Sequence, residues 1–194
     1  MKTDRFIASI QSMIAISDRE LDEFVSQCYE ISFGKNDWMA EAGNAVNDIF
    51  FINRGLLRVV IDDMDGNEHS IHFAFENQYI TDYAAYLNQT PSIYRMQALE
   101  DTDLIVMPRS MINWGYEHLA QGDRMGRLIA ETYFLYFDNR IKDQYLSTPI
   151  QRYEKITEIF PDIHNRVPQH MIASYLGITP VHLSRIKRQR HQSS

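Results

Sequence analysis

The sequence predicts an α+β protein: an N-terminal antiparallel β-barrel or jelly roll with flanking helices, a long helix, and a small all-α C-terminal domain. Seven short apolar runs recur between turn residues from Tyr29 to Met107, with no helical pattern between them. Residues 123–139 carry a helical apolar surface, and residues 168–186 have the spacing of two helices joined by a tight turn. We therefore expect a barrel domain at 1–122, a linking helix and hinge at 123–146, and a helical domain at 147–194.

Composition excludes several classes of protein. No apolar run approaches the ~18–20 residues of a membrane span, and the N-terminus lacks the apolar stretch of a secretory signal. The single cysteine, Cys28, excludes an internal disulfide and, within one chain, a cysteine-ligated iron–sulfur cluster. These features predict a cytoplasmic protein that does not bind a membrane.

Charge divides the chain into an acidic part and a basic part. The net charge of −7 looks unsuited to binding nucleic acid. Residues 1–140, however, carry 11 Lys and Arg against 22 Asp and Glu, whereas residues 141–194 carry 8 against 4. The balance is therefore −11 in the first part and +4 in the second, and a nucleic acid responds to the local field.

Two helices are expected before the first strand. Apolar residues at helical spacing predict one helix from Lys2 to Met13. Ser17 and Glu20 form a capping box that opens the second helix. Cys28 continues the apolar face of that helix, so we expect a small core residue there and not a redox centre.

The apolar runs that follow predict the strands of the barrel. They read YEISF, WMA, DIFFI, GLLRVVI, HSIHFAF, YRMQAL and DLIVM. Asp65-Gly66-Asn67 lies between the fourth and fifth runs and marks a hairpin. Alternate residues of a strand share one face of the sheet. We therefore expect one shared face for Leu57, Val59 and Ile61, and one for Ile71, Phe73 and Phe75.

Helices are expected again after Pro108. Ser110 is expected to cap a short helix that ends near His118. The long helix should run from Asp123 to about Asn139, with one edge on the barrel and the other paired with a second chain. The residues predicted to form this dimer contact are Met125, Leu128, Ile129, Thr132, Leu135 and Tyr136.

A hinge is expected at residues 142–148, before the C-terminal domain. Thr148-Pro149 is an N-cap followed by proline in the first turn, and it predicts a helix to Phe160. Pro161 should end this helix. Its predicted core residues are Tyr153, Ile156, Ile159 and Phe160.

The last part of the chain has the spacing of a helix-turn-helix. Pro168 can start the first helix, Gly177 can end it in a left-handed conformation, and Thr179-Pro180 can open the second. Counted from Gln169, a small residue stands at place 5, glycine at 9, and apolar residues at 4, 8, 10, 15 and 18. In this motif the second helix enters the major groove of DNA. A simple helical hairpin with a basic end is the alternative.

The outward face of the second helix is basic. Arginine can donate two hydrogen bonds to guanine, and Lys and Arg neutralise phosphates. On this face lie His182, Ser184, Arg185, Lys187, Arg188 and Gln189.

The order of parts resembles the Crp/Fnr family of bacterial transcription regulators along nearly the whole chain. The resemblance lies in INRGLLRVVIDDMDGNEHSIHFAFENQYITDY (52–83), MQALEDTDLIVM (96–107) and VPQHMIASYLGITPVHLSRI (167–186). It implies a cyclic-nucleotide-binding-type sensor domain, a homodimer, a two-fold symmetric DNA operator, and contact with RNA polymerase in members that activate. By resemblance, the base-reading positions are Pro180, Val181 and Arg185, and Gln169 and Thr179 are phosphate contacts.

The sensor domain departs from the pattern of nucleotide-binding members. Those members open a short helix with Gly-Glu-Leu and later place Arg, then Ser or Thr, then Ala, so that the arginine neutralises the cyclic phosphate. Here Asp82 could hold a sugar, but Ser92 replaces the arginine, and cyclic AMP is not expected to bind. The candidate effector pocket, for an unidentified small molecule if any, comprises Asp82, Tyr83, Ser92, Tyr94, Arg95 and Thr132. No cofactor or metal is predicted.

A second departure lies at the C-terminus. The sequence ends at Ser194, too early for the β-hairpin wing that usually follows the recognition helix, so the wing is expected to be short or absent.

Two other functions stay open. One is a regulator that binds protein and has lost DNA binding. The other is a cupin-type metal enzyme using His69, His72 and Glu76, which is disfavoured because residues three apart on a strand point to opposite faces. We expect a protein that is not an enzyme.

Overall fold

The computed structural model describes residues 3–193, with side chains described as far as Gln189. Helix α1 (Asp4–Met13) and helix α2 (Asp18–Val25) precede the strands, and the predicted start at Lys2 lies outside the described residues. The capping box of α2 is confirmed: the Ser17 hydroxyl accepts from the Glu20 N–H at 3.3 Å, and the Ser17 N–H donates to Glu20 Oε2 at 3.1 Å. Cys28 packs into the core beside Met111, and burial raises the pKa of its thiol to about 12.

Two four-stranded antiparallel sheets form the predicted jelly roll. The strands are β1 (Tyr29–Phe33), β2 (Trp38–Ala40), β3 (Asp48–Arg54), β4 (Leu57–Asp62), β5 (Glu68–Ala74), β6 (Tyr79–Ile80), β7 (Arg95–Ala98) and β8 (Thr102–Pro108). One sheet has the order β1-β8-β3-β6 and the other β2-β7-β4-β5. The seven predicted runs all form strands, and the hairpin at Gly66 is confirmed by the pairing of β4 with β5. The two-residue strand β6 was not predicted, because two residues are too few to show alternation.

The alternation predicted along β5 is wrong. Val59 pairs with His72 and Val60 with Ser70, so Ile71 is left as the extra residue of a β-bulge. Ile71 therefore packs against the barrel interior, whereas Phe73 and Phe75 lie on the outer face of their sheet. That outer face receives the C-terminal domain.

The middle helices are α3 (Tyr83–Asn88), α4 (Arg109–His118) and α5 (Gly122–Leu146). Helix α4 starts one residue before the predicted cap at Ser110, and its N-cap is Pro108. Helices α4 and α5 cross closely, because a Cβ on Gly122 would lie 2.1 Å from the Gly115 carbonyl oxygen. Helix α5 is longer than predicted and includes most of the expected hinge, so the chain changes direction only at Ser147 and Thr148.

The C-terminal domain contains α6 (Pro149–Ile159), α7 (Ile163–Arg166), α8 (Gln169–Tyr175) and α9 (Pro180–Ser193). Thr148 caps α6 in a capping box with Gln151. Its predicted core residues Tyr153, Ile156 and Phe160 are buried, but Ile159 is 61% exposed, so that prediction is wrong. Helix α8 begins one residue after the approximate start predicted at Pro168, which stands at its N-cap.

Candidate functional site

Helices α8 and α9, predicted as a helix-turn-helix, meet at a tight corner. Gly177 has a φ of +66°, the left-handed conformation predicted for it, and the chain turns there at little cost. Leu183 and Ile186 of α9 are buried in the same cluster as Ile172 and Ala173 of α8. The corner is therefore fixed by apolar contacts on the inner side of α9.

The opposite side of α9 faces solvent and is basic. Of the residues predicted to contact DNA, Pro180, Val181, His182, Arg185, Arg188 and Gln189 are exposed, and Ser184 and Lys187 are partly exposed. Val181, at 64% exposure, is the large apolar residue of this face. The α9 sequence contains no Asp or Glu to offset its cations.

The start of each helix of the corner is also accessible. Thr179 caps α9, since its hydroxyl accepts from the His182 N–H at 3.2 Å. Gln169 is exposed in the first turn of α8. Both positions present helix N-termini, where backbone N–H groups favour phosphate oxygens.

The C-terminal domain is docked on the barrel through α8, and α9 stays open. The Ser70 N–H of β5 donates to Ser174 Oγ of α8 at 3.0 Å. Phe75 stacks on Phe160 with ring centroids 3.8 Å apart. Because these contacts use α8 and the end of α6, they leave the basic face of α9 uncovered.

A cluster of charged side chains also joins the C-terminal domain to the barrel. The Arg166 guanidinium donates to both oxygens of Glu76 at 2.8 and 3.0 Å and also to Glu100. Burial raises the pKa of Glu76, but hydrogen bonds from Arg166 and the Gly55 N–H outweigh it and leave the pKa below its ordinary value. Sequence reasoning missed this cluster because its members lie far apart along the chain.

A second set of contacts joins the end of α5 to the same helix α8. The Arg140 guanidinium lies 3.7 Å from the ring centroid of Tyr175 and donates to its carbonyl oxygen at 3.1 Å. The Tyr136 hydroxyl lies 3.1 Å from the Tyr175 hydroxyl and 2.6 Å from His72 Nδ1. Helix α5, the barrel and the C-terminal domain therefore meet at Tyr136.

The predicted effector residues do not form one pocket. Asp82 and Ser92 are buried together: Asp82 caps α3 at the Ala85 N–H, and the Ser92 hydroxyl donates to it at 2.8 Å. Tyr94 adjoins them, its N–H donating to Ser92 Oγ. Arg95 lies elsewhere, ion-paired with Asp62 and Glu68 and stacked over Trp38 on the outer face of the sheet.

The cavity beside Asp82 is unsuited to a phosphate. It has a volume of about 190 Å³ and is lined by three carboxylate residues, Glu41, Asp48 and Asp82, while none of its described lining residues is Lys or Arg. Burial raises the pKa of Asp48, and the Arg109 guanidinium opposes this shift. A cyclic phosphate placed here would meet carboxylates of its own charge sign without a cation to compensate it.

Tyr83 and Thr132, the other predicted effector residues, line a different cavity. This cavity lies between α5, β6 and α1, and has a volume of about 270 Å³. The Thr132 hydroxyl donates to the Leu128 carbonyl within its own helix. Tyr83 packs against the rings of Tyr86 and Tyr133.

Some of the α5 residues that were predicted to contact a second chain pack within their own chain instead. Met125 is 6% exposed, Ile129 packs in the core of the barrel domain, and Tyr136 contacts His72. Leu128 is partly exposed, and Thr132 and Leu135 are exposed. A further apolar set was not predicted because it follows another edge of the helix: Phe134, Ile141 and Tyr145 are 67%, 60% and 86% exposed.

The residues of the alternative metal site have separate partners. His69 lies at the hairpin edge, 2.8 Å from Asp63, and Glu76 binds Arg166. His72 is partly buried against Tyr136, and burial, helped by the nearby Arg140 guanidinium, lowers its pKa to about 3. Among the side chains described, from residue 3 to residue 189, no group of three or more metal-ligating side chains comes together.

Helices that could cross a lipid bilayer are absent from the described part of the chain. A comparison with curated proteins finds no match. The family model that matches is the cyclic nucleotide-binding domain, over residues 30–117.

Solved structures resemble the chain over most of its length. FixK2 from Bradyrhizobium japonicum is 17% identical with a TM-score of 0.70, and the match covers 86% of this chain and 85% of that one. CLP of Xanthomonas campestris, a c-di-GMP-responsive global regulator, is 8% identical with a TM-score of 0.65 over 91% and 93%. The Thermus thermophilus catabolite activator protein is 14% identical with a TM-score of 0.52 over 95% and 87%. Residues 30–117 are thus similar to cyclic nucleotide-binding domains, and the chain has the fold of Crp/Fnr-type regulators.

Proposed function

We propose that this protein is a transcription regulator of the Crp/Fnr type that binds specific DNA sequences in the cytoplasm and is not an enzyme. The observation that carries this proposal is the basic, solvent-facing side of α9, which the docked domain leaves uncovered. The similarity to solved regulators supports the same function at the level of the fold.

The chemistry of α9 assigns roles to its residues. Arg185 reads a base, since arginine can bond two guanine acceptors in the major groove. Pro180 and Val181 offer apolar contact to a thymine methyl group. Gln169 and Thr179 bind phosphates at helix N-termini, and Lys187 and Arg188 add cations that supply affinity without sequence preference.

The protein acts as a homodimer through α5. Met125, Ile129 and Tyr136 are used within the chain, so the partner helix packs on outward residues of α5. Phe134 and Ile141 are seven residues apart and Tyr145 follows four later, which is close to the heptad spacing of paired helices. Two α9 helices about 34 Å apart would then read a two-fold symmetric operator.

Arg185 gives the test of DNA reading, and Arg19 on α2 gives a matched control. DNA fragments of the source genome are selected with wild-type protein, Arg185→Ala and Arg19→Ala at moderate salt. Wild type and Arg19→Ala should enrich one inverted repeat. Arg185→Ala removes one base contact from each half-site, so it should bind that repeat at least about 30-fold more weakly and lose preference at one base pair of each half-site.

The alternative of a protein-binding regulator predicts another outcome. Wild-type protein would enrich no fragment, even when a metabolite extract supplies effectors. Equal binding by wild type and Arg185→Ala would instead contradict the role given to Arg185.

A further inference from the structure

The cavity between α5, β6 and α1 is lined mainly by aromatic and aliphatic surface. Tyr79 of β6, Tyr83 of α3, and Ile129, Tyr133 and Tyr136 of α5 line its volume of about 270 Å³. It is larger than the 190 Å³ cavity beside Asp82. Ligand pockets of drug-sized molecules begin at ~300 Å³, so this cavity suits a somewhat smaller molecule.

The walls of this cavity carry no net charge. None of the residues described along them is Asp, Glu, Lys or Arg. His72, also on the wall, is neutral because burial lowers its pKa to about 3. An ionised ligand would lose its hydration without finding a counter-charge among these lining residues, and the nearby Arg140 guanidinium is held by Tyr175, so the cavity selects against ions.

Polar atoms at the cavity's edge are few and already organised. The Tyr133 hydroxyl donates to the Thr81 carbonyl at 3.3 Å, and the Tyr79 hydroxyl lies 3.0 Å from Ser9 Oγ. Burial raises the pKa of Tyr136, so its hydroxyl stays protonated. An apolar body with one hydrogen-bonding group fits such a surface.

Tyr136 connects this cavity to the C-terminal domain. Its ring lines the cavity, while its hydroxyl contacts His72 on β5 and Tyr175 on α8. A ligand that shifts the Tyr136 ring must therefore disturb a hydrogen bond to the helix that docks the DNA-binding domain.

We propose that this cavity is the effector site, that it takes a small uncharged and largely apolar molecule, and that Tyr136 transmits its occupancy to α8. The regulatory role of this coupling rests on the proposed DNA-binding function of α8 and α9. Binding of a ligand in the cavity does not depend on that function. The cavity is separate from the carboxylate-lined one beside Asp82 and selects for a different chemistry.

Two fluorophores with one skeleton test the ligand class. N-phenyl-1-naphthylamine is uncharged, and 8-anilinonaphthalene-1-sulfonate adds one sulfonate. The uncharged probe should bind saturably, with one site per chain, and the sulfonate should bind at least about tenfold more weakly, because the cavity offers no cation. Equal affinity of the two probes would overturn the proposed ligand class.

Variants locate the site. Ile129→Trp fills the cavity and should remove saturable binding of N-phenyl-1-naphthylamine, whereas Leu87→Trp, on an exposed position of α3, should retain it. If Ile129→Trp folds and binds like wild type, the probe is bound elsewhere and the assignment is wrong. The two-probe comparison needs no variant, so it stands if Ile129→Trp does not fold.

Coupling is measured without DNA, so that a failure of DNA binding is a separate result. The Ser70 amide bonds to Ser174 across the domain contact, and its hydrogen-exchange rate reports docking. Saturating N-phenyl-1-naphthylamine should change that rate about fivefold or more in wild type. Tyr136→Phe, which keeps the ring, should bind the probe but abolish the change. A wild-type rate that the probe does not alter would overturn the coupling.

Discussion

Replacement of Arg166 by methionine should loosen the docked C-terminal domain without unfolding it. Methionine keeps much of the side-chain volume but removes the guanidinium that bridges Glu76 and Glu100. Two carboxylates would then face the domain contact without a cation. The expected result is a higher population of molecules in which α8 has left β5.

The magnitude follows from the exposure of the ion cluster. The Arg166 and Glu76 side chains are each 24% exposed, and Glu100 is 34% exposed. A fully exposed ion pair contributes about 0–1 kcal/mol, whereas breaking a buried one costs about 3–5 kcal/mol. The intermediate exposure places the loss of docking free energy at about 2 kcal/mol, which is a factor of about 30 in the equilibrium.

Hydrogen exchange at the Ser70 amide measures this loss directly. Its acceptor, Ser174 Oγ, belongs to the C-terminal domain, so opening of the contact exposes the amide to solvent. Arg54→Met is the control, because Arg54 is 61% exposed and its pair with Asp103 lies within the barrel domain. Ser70 exchange that is equal in wild type and Arg166→Met, or equally faster in both variants, would refute the role of Arg166.

The same cluster predicts how docking depends on pH. Because the folded-state pKa of Glu76 lies below its ordinary value of 4.5, its contribution is complete above about pH 5 and declines as the pH falls through the folded-state pKa. Arg166→Met should lose most of this acid dependence, because Arg166 is the main partner that holds the pKa down. An acid dependence of equal size in wild type and variant would show that another group causes it.

Four further substitutions have defined outcomes. Ile141→Glu should convert the proposed dimer to monomer in sedimentation velocity, since it places a charge on the proposed apolar contact; a variant that stays dimeric would contradict that contact. Gly55→Ala should destabilise by more than about 2 kcal/mol in urea unfolding, because φ is +102° and a Cβ would lie 2.7 Å from Thr102 Cα. Gly66→Ala, with φ of +79° and open space, should cost only about 1 kcal/mol, and equal losses would refute the steric reason. Phe51→Ala should cost about 3–5 kcal/mol, since the ring is fully buried.

Local signals predicted most of the elements correctly. The capping box at Ser17, the N-cap at Thr148 and the glycine at position 177 depend on neighbouring residues only, and all three are confirmed. The strands were found because their apolar runs are short and separated by turn residues. These predictions needed no knowledge of distant contacts.

Features set by distant contacts could not be read in this way. The bulge at Ile71 depends on pairing with β4, and it places Ile71 on the opposite face of the sheet from Phe73, with which it was predicted to share a face. The apolar surface of α5 was recognised, but the sequence does not say which edge the barrel covers, so Met125 and Tyr136 were assigned outward. The effector residues were grouped by their place in a family pattern, whereas the fold divides them between two cavities and an outer sheet face.

The docked domain constrains how an effector could control DNA binding. The basic face of α9 is open in the docked arrangement, so an effector is not needed to uncover it. What docking fixes is the position of α8, which is bonded to β5 through Ser174 and to α5 through Tyr175. In a dimer joined along α5, those bonds set the separation of the two α9 helices, and successive major grooves accept them only near 34 Å. We therefore expect an effector to change operator affinity by changing this separation. In Tyr136→Phe, the half-site spacing that gives the tightest binding should differ from the spacing preferred by wild type. An effector response that is independent of half-site spacing would instead point to a change within α9 itself.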